Sequence, residues 1–158
     1  MRKYFLLIFL PFLMQCGNRE TTSVDSDRKK VIAAATKALQ DYYDDMRTNG
    51  MLAEFNWLDS SAEYFWVAPG YSGPISFDSV AKEIRKIARM VKKVDVRWEN
   101  LEVLPLTAEY VTYTGRISST ITDSTGHAIT SRLLETGILV KKQNGWKLLC
   151  GQTGKLPE

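Results

Sequence analysis

The sequence predicts an α+β protein in which two amphipathic helices cover one face of a mostly antiparallel sheet. Four β-like segments follow one another between Val94 and Thr153, and the turns between them contain Gly126 and the Asn144-Gly145 pair, which are typical of hairpins. Upstream lie two stretches whose apolar residues recur every three or four positions. An apolar sheet face needs such a cover, so we expect any pocket to lie between the helices and the sheet.

Residues 1–15 have the features of an export signal. Two basic residues precede an apolar segment from Tyr4 to Leu13, which is shorter than the ~20 residues that a membrane-spanning helix needs. The residues Leu13-Met14-Gln15-Cys16 resemble the lipobox of bacterial lipoproteins, although that family usually has Gly, Ala or Ser in the place of Gln15. We therefore expect Cys16 to carry a lipid anchor in the bacterial cell envelope, either periplasmic or surface-exposed. The alternatives are an ordinary cleaved signal or a buried cysteine.

Removal of this signal would leave a nearly neutral chain. The full sequence has 21 basic and 18 acidic residues, and processing removes Arg2 and Lys3, so the formal charge falls from +3 to +1. A chain without a basic surface or a nucleic-acid motif is not expected to bind nucleic acid. Acylated Cys16 would leave Cys150 without a disulfide partner, and Cys150, which shares the parity of Leu148, is expected to be a small core residue.

A polar tether is expected over residues 16–26, because its composition cannot bury enough apolar surface to fold, and residues 27–158 fit one domain. Asp25 or Ser26 can cap a long amphipathic helix that ends near Gly50. Its apolar positions are Ile32, Ala35, Leu39, Tyr42 and Met46. Three aspartates in its C-terminal half, where the helix dipole disfavours anions, are either solvated or held there for a purpose: Asp41, Asp44 and Asp45.

A short helical segment, a strand and a second helix are expected next. Residues 51–61 have an irregular apolar pattern, whereas residues 63–68 are rich in aromatic and β-branched side chains and stop at Pro69-Gly70, as a strand before a loop does. Ser76 can cap the second helix. Its apolar stripe consists of Val80, Ile84, Ile87, Ala88 and Val91. The basic residues on its other side face either solvent or a membrane surface.

This order of elements resembles the SnoaL-like and DUF4440 branch of the NTF2-like superfamily. The resemblance covers about residues 31–154, and its most specific part is Glu135–Gln152, where a Gly-Trp-Lys turn joins two strands. It implies a cone-shaped α+β fold in which a bent sheet wraps around a long N-terminal helix and forms a pocket. Many SnoaL-like sequences have a histidine where this chain has Gln152. Glutamine cannot exchange a proton near neutral pH, so Gln152 is expected at most to bind a ligand by hydrogen bonds.

A pocket carboxylate assisted by a tyrosine is the chemistry that the residues allow. The only histidine, His127, follows Gly126 in a predicted turn, and the sequence has no zinc, calcium or phosphate-loop pattern, so we expect no metal and no cofactor. The catalytic candidates are Glu63, Glu135 and Tyr43. Strand alternation leaves the direction of Glu135 open because both faces look buried there. A bulge or an outer contact surface, often a dimer interface in this superfamily, would explain that pattern.

Aromatic residues make up 11% of the chain, which favours a pocket for an apolar or planar ligand. Trp98 and Trp146 are expected to be nearer the core. The expected pocket residues are Tyr42, Tyr43, Trp57, Trp66, Tyr113, Glu135 and Gln152. The first hypothesis is a lipid-anchored, non-enzymatic domain that binds a small apolar or aromatic ligand or a protein partner. The alternatives are a small isomerase, dehydratase or hydrolase that uses a pocket carboxylate with a tyrosine, and a homodimeric assembly subunit that pairs through the sheet face.

The anchor hypothesis yields the first testable prediction. The Cys16→Ser variant should lose acylation completely, because serine cannot form the thioether that carries the lipid. Labelled fatty acid supplied to producing cells measures this directly, and Cys150→Ser is the matched control that should keep the label. Incorporation into the Cys16→Ser variant would remove the lipoprotein hypothesis.

Overall fold

The computed structural model describes residues 19–157, with side chains from residue 24 onward, as two α-helices and a 3₁₀ helix packed on one six-stranded sheet. The elements are α1 (Arg19–Asn49), the 3₁₀ helix (Met51–Asn56), β1 (Phe65–Val67), β2 (Ile75–Ser76), α2 (Phe77–Ala88), β3 (Val91–Pro105), β4 (Tyr110–Asp123), β5 (Ala128–Lys142) and β6 (Gly145–Lys155). The predicted signal and Cys16 lie outside the described residues. The predicted order of elements is confirmed, with β2 as an addition.

The sheet is a four-stranded antiparallel meander extended by two short strands. Its order is β2-β1-β6-β5-β4-β3, and β1 runs parallel to β6 and antiparallel to β2. Register shifts on β3 leave Lys92 and Glu99 as extra residues. Such bulges bend a strand and increase its twist. The result is an open, mixed sheet that is mostly antiparallel, as the sequence predicts.

Helix α1 covers the inner face of this sheet. The contact between helix and sheet is the least solvent-exposed part of the core. At most 1% of the surface is exposed in Ala35 and Leu39 on the helix and in Val111 and Ile117 on β4. Trp98 on β3 donates its indole N–H to the carbonyl of Leu39 over 2.9 Å. This bond fixes the helix across the strand while the apolar residues bury their side chains.

Helix α1 begins earlier than predicted. It starts at Arg19, whereas Asp25 or Ser26 was the predicted cap. No proline or glycine interrupts residues 19–49, and residues 24–30 are all exposed, so the helix continues into solvent without needing a cover. Part of the predicted tether is therefore helical. Within the described residues, no helix combines the length and the apolar character needed to cross a membrane.

The C-terminal end of α1 is tied to the 3₁₀ helix by Asp45. Its carboxylate accepts hydrogen bonds from Asn49 at 2.7 Å, Trp57 at 2.8 Å and Asn56 at 3.2 Å. These bonds, the one from Asn49 above all, lower the pKa of Asp45. Gly50 then ends the helix, as predicted, with a φ of +82° that glycine adopts without strain. The unfavourable charge near the helix end thus has a structural purpose.

Cys150 is half-buried on the outer face of β6 and is not a core residue. Strand β5 pairs with Leu148 and then with Cys150 but skips Leu149, so Leu149 forms a bulge. One extra residue reverses the alternation of side chains. Cys150 therefore faces away from the side that Leu148 occupies, and the prediction from parity is wrong.

The packing of Trp98 yields a prediction about two strand glycines. A Cβ atom on Gly115 would lie 2.7 Å from the ring of Trp98 and still closer to the carbonyl oxygen of Asn100, whereas one on Gly154 would meet nothing within 4 Å. Gly115→Ala should lower the free energy of unfolding by about 1 to 3 kcal/mol through overpacking. Gly154→Ala, the matched control, should change it by less than about 0.5 kcal/mol. Urea unfolding measures both, and equal effects would contradict this packing.

Candidate functional site

A cavity of about 380 Å³ lies between α1, the 3₁₀ helix, α2 and the inner face of the sheet. Its wall is mainly aromatic and aliphatic. Five aromatic side chains line it: Tyr42, Tyr43, Tyr64, Trp66 and Tyr71. Two carboxylates, those of Glu54 and Glu83, also border it. The sequence placed a pocket in this position, and a largely apolar wall with a few polar groups is typical of ligand sites.

Glu135 lies buried directly behind this wall. Its Oε2 accepts hydrogen bonds from the Tyr43 hydroxyl at 2.8 Å and the Thr153 hydroxyl at 3.2 Å, and its Oε1 accepts one from the Tyr113 hydroxyl at 2.9 Å. Burial raises the pKa of Glu135, and the three hydrogen bonds oppose that rise. Both oxygens of this carboxylate are therefore engaged by the protein itself.

The strand register explains how three donors reach Glu135. Thr153 on β6 lies opposite Glu135, and Tyr113 on β4 lies opposite Gly137, one inward position further along β5. A Cβ on Gly137 would lie 3.1 Å from the Tyr113 hydroxyl, so the absence of a side chain leaves room for that ring. Glu135 thus points inward, which strand alternation alone left open.

Glu54 is a candidate site residue that the sequence analysis missed. It lies on the 3₁₀ helix at the cavity wall, and the Tyr42 hydroxyl donates to its Oε1 over 3.1 Å. Desolvation, followed by the negative charge of Glu135, raises the pKa of Glu54 to about 7, although the bond from Tyr42 opposes the rise. The available signal was one acidic residue in the otherwise apolar segment Met51-Leu-Ala-Glu-Phe.

The structure brings most of the predicted pocket residues together. Tyr42, Tyr43 and Trp66 line the cavity, and Tyr113 is buried with Glu135 behind it. Trp57 is not part of the wall. Its indole N–H bonds to Asp45, and its ring centroid lies 6.3 Å from that of Tyr42, so it supports the wall from outside.

Two other predicted site residues, Glu63 and Gln152, lie away from the cavity, and so does His127. Glu63 is exposed in the turn before β1, and His127 is exposed next to the turn between β4 and β5. Gln152 is exposed on the outer face of β6, because the bulge at Leu149 turns Thr153 inward in its place. Trp66 donates its indole N–H to Thr153 over 3.1 Å, which links the aromatic wall to Glu135. Among residues 19–157, no three His, Cys, Asp or Glu side chains come together to hold a metal ion.

Comparison with solved structures finds the same architecture in several proteins. A candidate scytalone dehydratase from Novosphingobium aromaticivorans aligns with 84% of this chain and 89% of its own, at 10% identity and a TM-score of 0.73. An NTF2-like superfamily protein from Salmonella enterica aligns over 85% and 94%, at 8% identity and a TM-score of 0.65. A ketosteroid isomerase-like protein from Erwinia carotovora aligns over 80% and 97%, at 18% identity and a TM-score of 0.62.

The chain has the NTF2-like fold. At these identities the comparison establishes the architecture alone. Comparison with protein-family models and with curated proteins finds no match. Within this NTF2-like fold the two inner carboxyl groups differ in what they can do. Glu135 is buried and accepts three hydrogen bonds from the protein, whereas Glu54 borders the cavity, accepts one bond from a described side chain and exchanges its proton near neutral pH.

The raised pKa of Glu54 predicts a pH-dependent stability. The folded state holds this proton up to about pH 7, whereas an unfolded carboxyl group loses it near 4.5, so the free energy of unfolding should fall as the pH rises between these values. For a partly exposed group the loss should be about 1 to 3 kcal/mol. Urea unfolding at pH 4.5 and pH 8 measures it.

The difference between variants isolates Glu54, since Glu135 changes stability in the same direction. In the Glu54→Gln variant, most of the fall in the free energy of unfolding that Glu54 causes between pH 4.5 and pH 8 should be absent. Glu63→Gln removes the same charge at an exposed turn and should keep the decline of the unmodified protein. An unchanged decline in Glu54→Gln would contradict the assignment.

Proposed function

We propose that this protein is a ligand-binding domain that takes up a small, largely apolar molecule in the cavity under α1. The observation that carries the proposal is the cavity itself, about 380 Å³ in volume and walled by aromatic and aliphatic side chains. Ligand pockets of small molecules typically measure about 300 to 1,000 Å³ and are apolar with a few polar groups. A molecule of one or two rings suits this space.

The hydrogen bonding of Glu135 supports binding over catalysis. A general base has to accept a proton from its substrate, and Glu135 has three protein donors on its two oxygens. The donors come from α1, β4 and β6, so the carboxylate holds the elements that form the cavity. This role is structural and requires no reaction.

The second candidate function is an enzyme that moves a proton. It is favoured by Glu54, a cavity carboxylate with a pKa of about 7, bonded to the Tyr42 hydroxyl, which suits a general base near neutral pH. In that case Glu54 would replace Glu63 and Glu135 as the base. Deuterium from D₂O should then enter a carbonyl compound such as 2-indanone beside its carbonyl group, and Glu54→Gln should not catalyse this exchange. Exchange no faster than in buffer would favour binding alone.

We also propose that Cys16 anchors the domain to the cell envelope and that the outer sheet face pairs with a second copy. The anchor rests on the lipobox-like residues before Cys16. The pairing is supported by apolar side chains that the outer sheet face exposes to solvent. Phe65 is 44% exposed, Tyr110 is 38% exposed and Leu134 is 42% exposed. Sedimentation of the purified protein as a monomer at micromolar concentration would contradict the pairing.

Uptake of a neutral fluorescent probe tests the binding function. N-phenyl-1-naphthylamine should increase its fluorescence with the purified protein, and Ser119→Phe should weaken this binding about tenfold, because Ser119 lines the cavity and a phenyl ring would fill part of it. Ser118→Phe is the matched control, since Ser118 lies on the opposite face of β4 and should leave binding unchanged. No uptake, or equal loss in both variants, would contradict the proposal.

A further inference from the structure

We infer that the ligand carries a positive charge, in the form of a small apolar amine, and that Glu54 and the surrounding aromatic rings hold its ammonium group. The inference rests on the proposed binding function and adds the chemical class of the ligand. It combines three features of the cavity: the sign of its charges, the number of its aromatic rings and the free acceptor capacity of one carboxylate.

The charged groups that border the cavity are all acidic. Glu54 and Glu83 lie in its wall and Glu135 lies behind it, whereas no lysine, arginine or histidine of the described residues belongs to the wall. The nearby cations stand outside. Lys86 lies 3.7 Å from Glu83 with a largely exposed side chain, and the guanidinium group of Arg85 lies over the ring of Phe55. At a pH at which Glu54 is ionised, the wall formed by the described residues therefore carries negative charge and no positive charge, which disfavours an anionic ligand and favours a cation.

The aromatic wall provides a second attraction for a cation. The ring faces of Tyr and Trp carry partial negative charge, so they attract ammonium groups, most strongly where water is excluded. The cavity has five such rings, and those of Tyr42 and Tyr43 are in contact, with centroids 4.5 Å apart. The same rings bind the apolar part of a ligand, which makes an apolar amine a better match than a hydrated inorganic cation.

Of the two inner carboxylates, only that of Glu54 borders the cavity and can accept a hydrogen bond from a ligand. Glu135 is buried behind the wall, and each of its oxygens already accepts a bond from the protein, so a ligand in the cavity does not reach it. Glu54 accepts one bond from Tyr42, on Oε1, and its Oε2 has no donor among the described side chains. An ammonium group has three donors and would fill this position. Glu54 is thus the residue that would recognise the positive charge of the ligand.

Binding of a cation should depend on pH through Glu54. The titratable groups that face it are Tyr42 on α1, Tyr64 before β1, Glu83 on α2 and Glu135 on β5. A cationic ligand binds the ionised form of Glu54 more tightly, so the affinity of the protein for that ligand should rise as the pH increases from 5 to 8. A neutral ligand gains nothing from that ionisation.

Three probes of one size separate charge from apolar contact: 2-phenylethylamine, 2-phenylethanol and phenylacetate. Titration at pH 8, followed by the NMR signals of the tryptophan indole N–H groups, should give the amine an affinity about tenfold higher than that of the alcohol, with phenylacetate weakest. In Glu54→Gln the amine should lose this advantage, while the alcohol should bind as before. Glu63→Gln, the matched control at an exposed position, should keep the preference for the amine.

The outcomes distinguish this inference from the proposed function. Equal affinity for amine and alcohol, or a preference for phenylacetate, would overturn the inference and leave apolar binding in place. Uptake of neutral N-phenyl-1-naphthylamine without binding of 2-phenylethylamine would also overturn the inference. A Glu54→Gln variant that weakens all three probes equally would show that Glu54 maintains the cavity and does not read charge. Failure of every probe, including the naphthylamine, would overturn the binding function itself.

Discussion

The buried carboxylate of Glu135 is the group on which the arrangement of this domain depends. Moving a carboxylate out of water is costly unless its oxygens are hydrogen-bonded, and here three hydroxyl groups supply those bonds. The donors Tyr43, Tyr113 and Thr153 belong to three different elements. Loss of Tyr113 would leave the buried Oε1 without a partner, and loss of Tyr43 or Thr153 would leave Oε2 with one donor in place of two. The helix and the strands are therefore held in one relative position.

The aromatic wall of the cavity follows from this network. Tyr43 is oriented by its bond to Glu135, and its ring lies 5.1 Å from that of Trp98, which in turn lies 6.0 Å from the ring of Tyr113. Trp66 is attached through Thr153. The cavity is thus bordered by side chains whose positions are already fixed, and a site that is formed in advance binds with a smaller loss of conformational entropy.

Local patterns in the sequence predicted the elements well, and contacts between distant segments account for what they missed. Helix spacing, strand alternation and glycine turns are local, so α2, the meander and the end of α1 at Gly50 could be predicted. The bulge at Leu149 could not, because the backbone of Leu148 bonds both to Trp57 and to Asp59, far away in sequence. That single extra residue moved Cys150 and Gln152 to the outer face. Glu54 escaped notice since its partner Tyr42 lies on another element.

Two glutamates beside the same cavity differ in burial, in hydrogen bonding and in access to the cavity. Glu135 receives a donor on each oxygen and is sealed from the cavity. Its hydrogen bonds therefore offset the cost of burial and stabilise the folded arrangement of the elements that supply the donors. Glu54 receives one donor from the protein, lies in the wall, and takes up a proton near neutral pH as the less costly response to its partial burial. Desolvation that is only partly compensated costs stability in the empty domain. A ligand that donates a hydrogen bond to Glu54, or that places a positive charge beside it, compensates this desolvation. This is the physical reason to assign ligand recognition to Glu54 and a structural role to Glu135.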